Sequence, residues 1–310
     1  PALANDNIDN NLKVQYLLKL LVNQADLSLS TDHIYRYVQL LLEKYPGDLS
    51  VRTLNADFLK RENKLEECKK ELEFIISKEK NNYLVWEELM LLSNQLGDTA
   101  AMKSEGLECL NYFPNEPLPY MMISLPMLIE GNYAKATGYL QKGLELAPDK
   151  SFIKSQLYAY LGECYYKQDS IEIAFSMFDS AIAINPNDIM TLNNYSYYLS
   201  LRNERLNQAE KMISTALSAD PNNATFLDTY AWVLFKLKNY SLARFYMRSA
   251  IENTEEPSGV LYEHYGDILY MNGDKEEALK MWKKALELGD DISDNLKNKI
   301  VNGLSVEHEE

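Results

Sequence analysis

Ser155 to Asp188, SQLYAYLGECYYKQDSIEIAFSMFDSAIAINPND, is the stretch from which the fold can be read. Counted from Ser155, the residues Tyr158, Leu161, Gly162, Tyr165, Ala174, Phe178, Ala181 and Pro186 stand at positions 4, 7, 8, 11, 20, 24, 27 and 32. Large residues at these intervals share helix faces. Small ones at 8, 20 and 27 let two helix axes approach within roughly 8 to 10 Å. Proline at 32 ends the second helix, because it cannot continue a helix interior.

The pattern can be walked in both directions. Downstream come Leu192, Tyr195, Ser196, Leu199, Ala209, Ile213, Ala216 and Pro221, then Leu227, Tyr230, Ala231, Leu234, Ala243, Met247 and Ala250. Tyr262, Tyr265, Gly266, Leu269, Ala278, Trp282 and Ala285 close the series. Upstream, Tyr120, Ile123, Ser124, Met127, Ala136, Leu140, Gly143 and Pro148 fit one more unit, and three weaker units precede it. This spacing closely resembles that of the tetratricopeptide-repeat family. The resemblance implies an all-α, right-handed solenoid of eight helical hairpins, in units 15–48, 49–82, 83–116, 117–150, 155–188, 189–223, 224–257 and 259–292. The register is interrupted at 151–154, within 203–205 and at Ser258. A 1–14 arm precedes the units; a 293–304 capping helix, with Leu296, Ile300 and Leu304 on one edge, and a 305–310 acidic tail follow.

Small residues at positions 8 and 20 are expected to face each other, with position 27 meeting the next unit. The first unit departs from this rule, carrying Val22, Ile34 and Leu41. Joints between units read Tyr45-Pro-Gly-Asp48, Asn185-Pro-Asn-Asp188 and Asp220-Pro-Asn-Asn223, in which Asp or Asn can cap the next helix. Turns inside hairpins read Gly97-Asp98, Gly131-Asn132 and Gly273-Asp274.

Composition excludes several classes. The 310 residues hold 12 glycines and 10 prolines, below the roughly 12% of ordinary usage, which argues against turn-rich sandwiches and propellers. No run approaches the roughly 18 apolar residues of a membrane span. Lys and Arg total 31 against 46 Asp and Glu, a net charge of −15 that repels phosphate backbones, so no nucleic-acid partner is expected. The chain opens at Pro1 with no basic-then-apolar leader, so its start is read as cut back from a longer product. The texture of the last four units is similar to that of bacterial exported repeat proteins, which implies the periplasm or outer-membrane attachment, with the cytoplasm as the alternative.

In the tetratricopeptide family the first helices of successive repeats line a concave groove, at helix positions 2, 5, 9 and 12. Carried over residue by residue, these positions imply a peptide-binding groove of Glu163, Tyr166, Asn193, Tyr197, Asp228, Trp232, Phe235, Glu263, Asp267 and Tyr270. The fourth unit would add an apolar floor of Leu118, Met121, Leu125 and Leu128. Such a groove suits an extended or helical protein segment with apolar residues at one end and Lys or Arg at the other. The competing reading is that the Met and Tyr stripe is packing inside the coil. Asn193 stands out, since a side-chain amide can bond a peptide backbone whatever its sequence. Lys19 and Asn23 match the opening pair of a basic clamp for acidic C-termini, but Glu87 and Leu91 stand where that clamp needs Lys and Arg.

No catalytic, cofactor or metal site is expected: His33, His264 and His308 are scattered, with no His-Glu-x-x-His, nucleophile elbow or phosphate loop. Cys68 and Cys109 fall at small-residue positions and Cys164 on a first helix, so all three are read as structural thiols. Asn194, Asn223 and Asn239 head Asn-x-Ser/Thr triplets that are read as chance. The expected role is a non-catalytic protein-binding scaffold. The alternatives are an accessory subunit for envelope assembly, export or glycan handling, and a regulatory fragment of a larger enzyme.

Overall fold

The computed structural model describes residues 5, 7–22, 31–289 and 292–304, and they form helices and turns with no strand. The Asn23 half of the clamp match, the Val22 side chain and the acidic tail lie outside the described residues. Two compact units divide the chain, Pro1–Asp149 and Lys150–Glu310.

The first unit contains α1 (Asn10–Val22), α2 (Thr31–Lys44), α3 (Leu49–Arg61), α4 (Leu65–Lys78), α5 (Tyr83–Gln95), α6 (Thr99–Cys109), α7 (Pro117–Ile129) and α8 (Tyr133–Leu146). From α3 onward they pack two by two in chain order. Helix α1 begins inside the expected arm, a correction with a tertiary cause. Lys13 Nζ donates to Asn10 Oδ1 (3.2 Å) and Tyr45 Oη (3.3 Å), and Asn10 Nδ2 to Asp48 Oδ2 (2.7 Å), so its first turn is held from the α2–α3 joint. Val14, Leu17, Ile34, Val38, Leu41, Val51, Leu54 and Phe58 form a core of their own. Leu118, Met121 and Leu125 are buried, which makes the expected apolar floor of the fourth unit interior packing. Cys68 and Cys109 are buried free thiols, and burial pushes them up to about 11 and about 12, so neither is a thiolate near neutral pH.

The second unit contains α9 (Phe152–Lys167), α10 (Ile171–Ile184), α11 (Ile189–Leu201), α12 (Leu206–Ala219), α13 (Ala224–Lys236), α14 (Tyr240–Glu252), α15 (Gly259–Met271), α16 (Lys275–Leu288) and the short α17 (Leu296–Asn302). Here Ala174, Ala181, Ala209, Ala216, Ala231, Ala243, Ala250, Ala278 and Ala285 are all fully buried. The small residue at position 8 meets more than its expected partner at 20. A Cβ on Gly162 would stand 2.9 Å from the Phe178 ring, and one on Gly266 would collide with Trp282, so the large residue at 24 fills the space that glycine leaves. Ser196 does approach position 20, donating to the carbonyl of Ala209 at 3.0 Å.

Caps close the helices where the joints suggested. Asp188 accepts from Thr191 N, and Asn223 from Thr225 N and Phe226 N. The three register breaks have local explanations. Residues 151–154 lengthen the start of α9, which Ser151 caps. The extra residue near 203–205 is absorbed by Asn203 and Arg205, both left-handed at φ 55° and 44°. Ser258 is the N-cap of α15.

Candidate functional site

The first helices of successive pairs, α9, α11, α13 and α15, share the walls of one cleft of about 480 Å³. Tyr166 comes from α9, Asn193 and Tyr197 from α11, and Asp228 from α13, so four of the residues expected at the groove line it together. Each sits on its helix by the same four-residue periodicity that turns its opposite face into the core.

Asn193 is only 4% exposed, and its Nδ2 donates to Asn194 Oδ1 at 3.1 Å. Its Oδ1 has no hydrogen-bond partner among the described residues. Tyr166 stacks on Tyr198 with ring centroids 4.0 Å apart, which fixes that wall. Burial pushes the Tyr166 hydroxyl above its ordinary value, so it remains a neutral donor and acceptor. Asp228 Oδ1 lies 3.0 Å from His264 Nδ1, reaching across from α13 to α15.

The other expected residues take different places. Trp232 and Phe235 form one aromatic stack with His264: Trp232 lies 3.9 Å from the His264 ring at 15° and 4.8 Å from Phe235 at 8°. Trp232 is 7% exposed and its Nε1 has no partner among the described residues, so it supports the cleft from behind rather than offering contact area. Glu163 is half-buried on α9, one helical turn from Lys167, and burial raises its carboxyl above the ordinary value against the pull of that lysine. Tyr270 packs on Trp282 and against Gly303.

Glu263 and Asp267 correct the expectation of a free acidic end. Both are buried, and Lys299 of α17 lies between them, 2.7 Å from Glu263 Oε1 and 2.6 Å from Asp267 Oδ2. Ser293 donates its backbone N–H to Glu263 Oε2 at 2.7 Å and its hydroxyl to Glu263 Oε1. Trp282 Nε1 donates to Asp267 Oδ1 at 2.8 Å. Burial works against the Glu263 carboxylate, yet the bonds from Lys299 and Ser293 hold it below its ordinary value. Asp267 is raised by its deeper burial despite Lys299 and Trp282. The negative charge of α15 is thus spent within the chain, and a partner's cation would have to displace Lys299 to reach it.

Sequence reasoning missed Thr225, Thr229 and Val260 in the walls of the cleft, and it missed Lys299. The wall residues lie on the same helix faces as the residues that were named, and the four-residue spacing could have found them. Nothing near Lys299 in the chain points to residues 32 and 36 positions earlier.

The fold is that of tetratricopeptide-repeat proteins. A chain of the crystallised Cut9–Hcn1 heterotetramer of the APC/C superposes with a TM-score of 0.65 at 14% identity, covering 88% of this chain and 52% of that one. This chain therefore spans about half the length of that relative. A tetratricopeptide-repeat protein from Parabacteroides merdae superposes with a TM-score of 0.54 at 17% identity, covering 85% of this chain and 97% of its own. No protein-family model matches the chain, and no curated protein matches it.

Proposed function

We propose that this chain is a non-catalytic protein-binding scaffold whose second unit holds an extended segment of a partner in the cleft between α9, α11, α13 and α15. The observation that carries this reading is the amide of Asn193. It is almost fully removed from water in a cleft wall, with an acceptor that no described residue satisfies. A buried acceptor left unpaired costs on the order of 1 to 3 kcal/mol, and a guest's backbone N–H would offset it once the Asn193 side chain turns its Oδ1 toward the cleft. A scaffold whose walls are already stacked and bonded loses little conformational freedom when a guest arrives. The fold supports the same reading, because Cut9 is crystallised as an assembly with the protein Hcn1.

The test is selection of a displayed random dodecapeptide library on the wild-type chain, followed by binding of the selected peptides to an Asn193→Ala, Tyr197→Ala variant. Peptides that bind wild type and lose the variant are the expected result. Selection of the same peptides by both proteins would show that the cleft is not the binding site.

A further inference from the structure

Asp228 lies at the seam of two clefts. It lines the larger one with Asn193 and Tyr197, and also an adjoining cleft of about 260 Å³ that Glu256 and Thr254 help to enclose. One of its oxygens, Oδ1, is taken by His264. The other receives no hydrogen bond from the described residues.

The charge around this seam is acidic: Asp228 and Glu256 face the smaller cleft with no cation among its lining residues. Lys167 is the cation among the residues lining the larger cleft, and it sits one helical turn from Glu163, whose carboxyl feels its charge. Lys167 stands on α9, and the acidic groups Asp228 and Glu256 lie together at the α13 end of the two clefts. The rings of Tyr166 and Tyr197 stand in the same wall, and a cation over a tyrosine face gains on the order of 0.5 to 2 kcal/mol.

One pair further along, the chain shows what such a position does with an ammonium. Glu263 occupies on α15 the place, fifth in its unit, that Asp228 occupies on α13, and it receives Lys299 at 2.7 Å. Lys299 arrives on α17, a segment laid against α16 and α15 from outside the helix pairs. No such segment of the chain supplies a cation to Asp228 among the described residues.

We propose that the segment bound in the cleft carries a lysine or arginine whose cation docks on Asp228, beside the backbone contact at Asn193. This rests on the reading of the cleft as a peptide site, and it adds the chemical class of the guest. A charge-assisted bond from an ammonium or guanidinium to the free carboxylate oxygen sets which residue of the segment sits at the seam. The Asn193 contact is indifferent to side chains, so Asp228 supplies the selectivity.

The experiment uses the peptides selected on the wild-type chain. A basic residue is expected at a common place in them. Replacing that residue in the peptide by norleucine or citrulline is expected to weaken binding by about tenfold or more, and Asp228→Asn in the protein by a similar factor. The peptide substitutions require no altered protein, so the outcome stands even if Asp228→Asn fails to fold. If the selected peptides depend on Asn193 and Tyr197 but share no basic residue, or if they tolerate norleucine with less than about a twofold loss, the cation is refuted while the cleft survives. If no peptide distinguishes wild type from the Asn193→Ala, Tyr197→Ala variant, the cleft reading fails, and the cation with it.

Discussion

Asp228 on α13 and Glu263 on α15 hold the same place in consecutive helix pairs, and both are carboxylates on a first-helix face, yet their surroundings are opposite. Around Glu263 the polar groups are closed into a network with Asp267, Ser293, Trp282 and Lys299. Around Asp228 the described residues give one bond, to His264, and a cleft on either side. The difference comes from α17. Where an added helix covers the face, its lysine turns acidic residues into structural ones. Where none does, the carboxylate stays in the cleft wall, and the amide of Asn193 keeps a buried acceptor that no described residue satisfies. A residue's place in the repeat therefore sets which face it is on, while its role depends on what is laid over that face.

The largest effect expected from this contrast is at Lys299. Lys299→Met leaves Glu263 and Asp267 buried without their cation, and thermal or urea unfolding should show a loss of roughly 3 to 5 kcal/mol. Adding Glu263→Gln and Asp267→Asn in that background should recover most of it, since the cost is an uncompensated charge. A Lys299→Met protein as stable as wild type would mean that α17 does not close this face in solution.

A smaller loss is expected at Gly266, which gives Trp282 the space to reach Asp267. Gly266→Ala places a methyl against that ring and should cost roughly 1 to 3 kcal/mol by overpacking. Gly138→Ala is the control: a Cβ there meets nothing within 4 Å, so it should show only the helix-propensity gain of roughly 0.5 to 1 kcal/mol, against which the loss at Gly266 is read.

The network should also show in the acid limb of stability. Glu263 is held below its ordinary value of 4.5, so its contribution is complete above about that pH and drains as the pH falls through its lower folded value. Asp267, raised by burial, has the opposite sign: its contribution shrinks as pH rises through its folded value, so it offsets part of the acid loss. Unfolding free energies measured from pH 6 downward should fall more gently in Glu263→Gln than in wild type.

The smallest stability change is expected at Asp228. Asp228→Asn can keep a hydrogen bond to His264, so its unfolding free energy should stay within about 1 kcal/mol of wild type even though peptide binding suffers. A loss as large as that of Lys299→Met would show that Asp228 is a structural partner of His264 rather than a free site.

Much of the helical organisation was legible in the chain. Positions of Gly, Ala and Ser announced which faces meet, because only small side chains allow close helix axes, and Asp188 and Asn223 announced their caps. The register breaks were visible as interruptions, but their solutions were not. Whether extra residues lengthen a helix, as at Ser151, or fold into left-handed turns, as at Asn203 and Arg205, depends on local backbone geometry. At the cleft, Tyr166, Asn193, Tyr197 and Asp228 stand at groove positions carried over from the tetratricopeptide family, and the four line one cleft. Trp232 was assigned to the same face, but it is buried in a stack with Phe235 and with His264 from another helix pair.

By itself, the sequence determined the helical hairpin pattern, the small-residue seams and the face on which the cleft residues stand, since these depend on intervals of a few residues along one chain. Only the tertiary structure decided which of those residues remain open. That choice is made by groups far away in sequence, Lys299 against Glu263 and Asp267, and His264 against Asp228 and Trp232. Hydrogen bonds and ion pairs act over a few ångströms of space and carry no periodic mark in the chain.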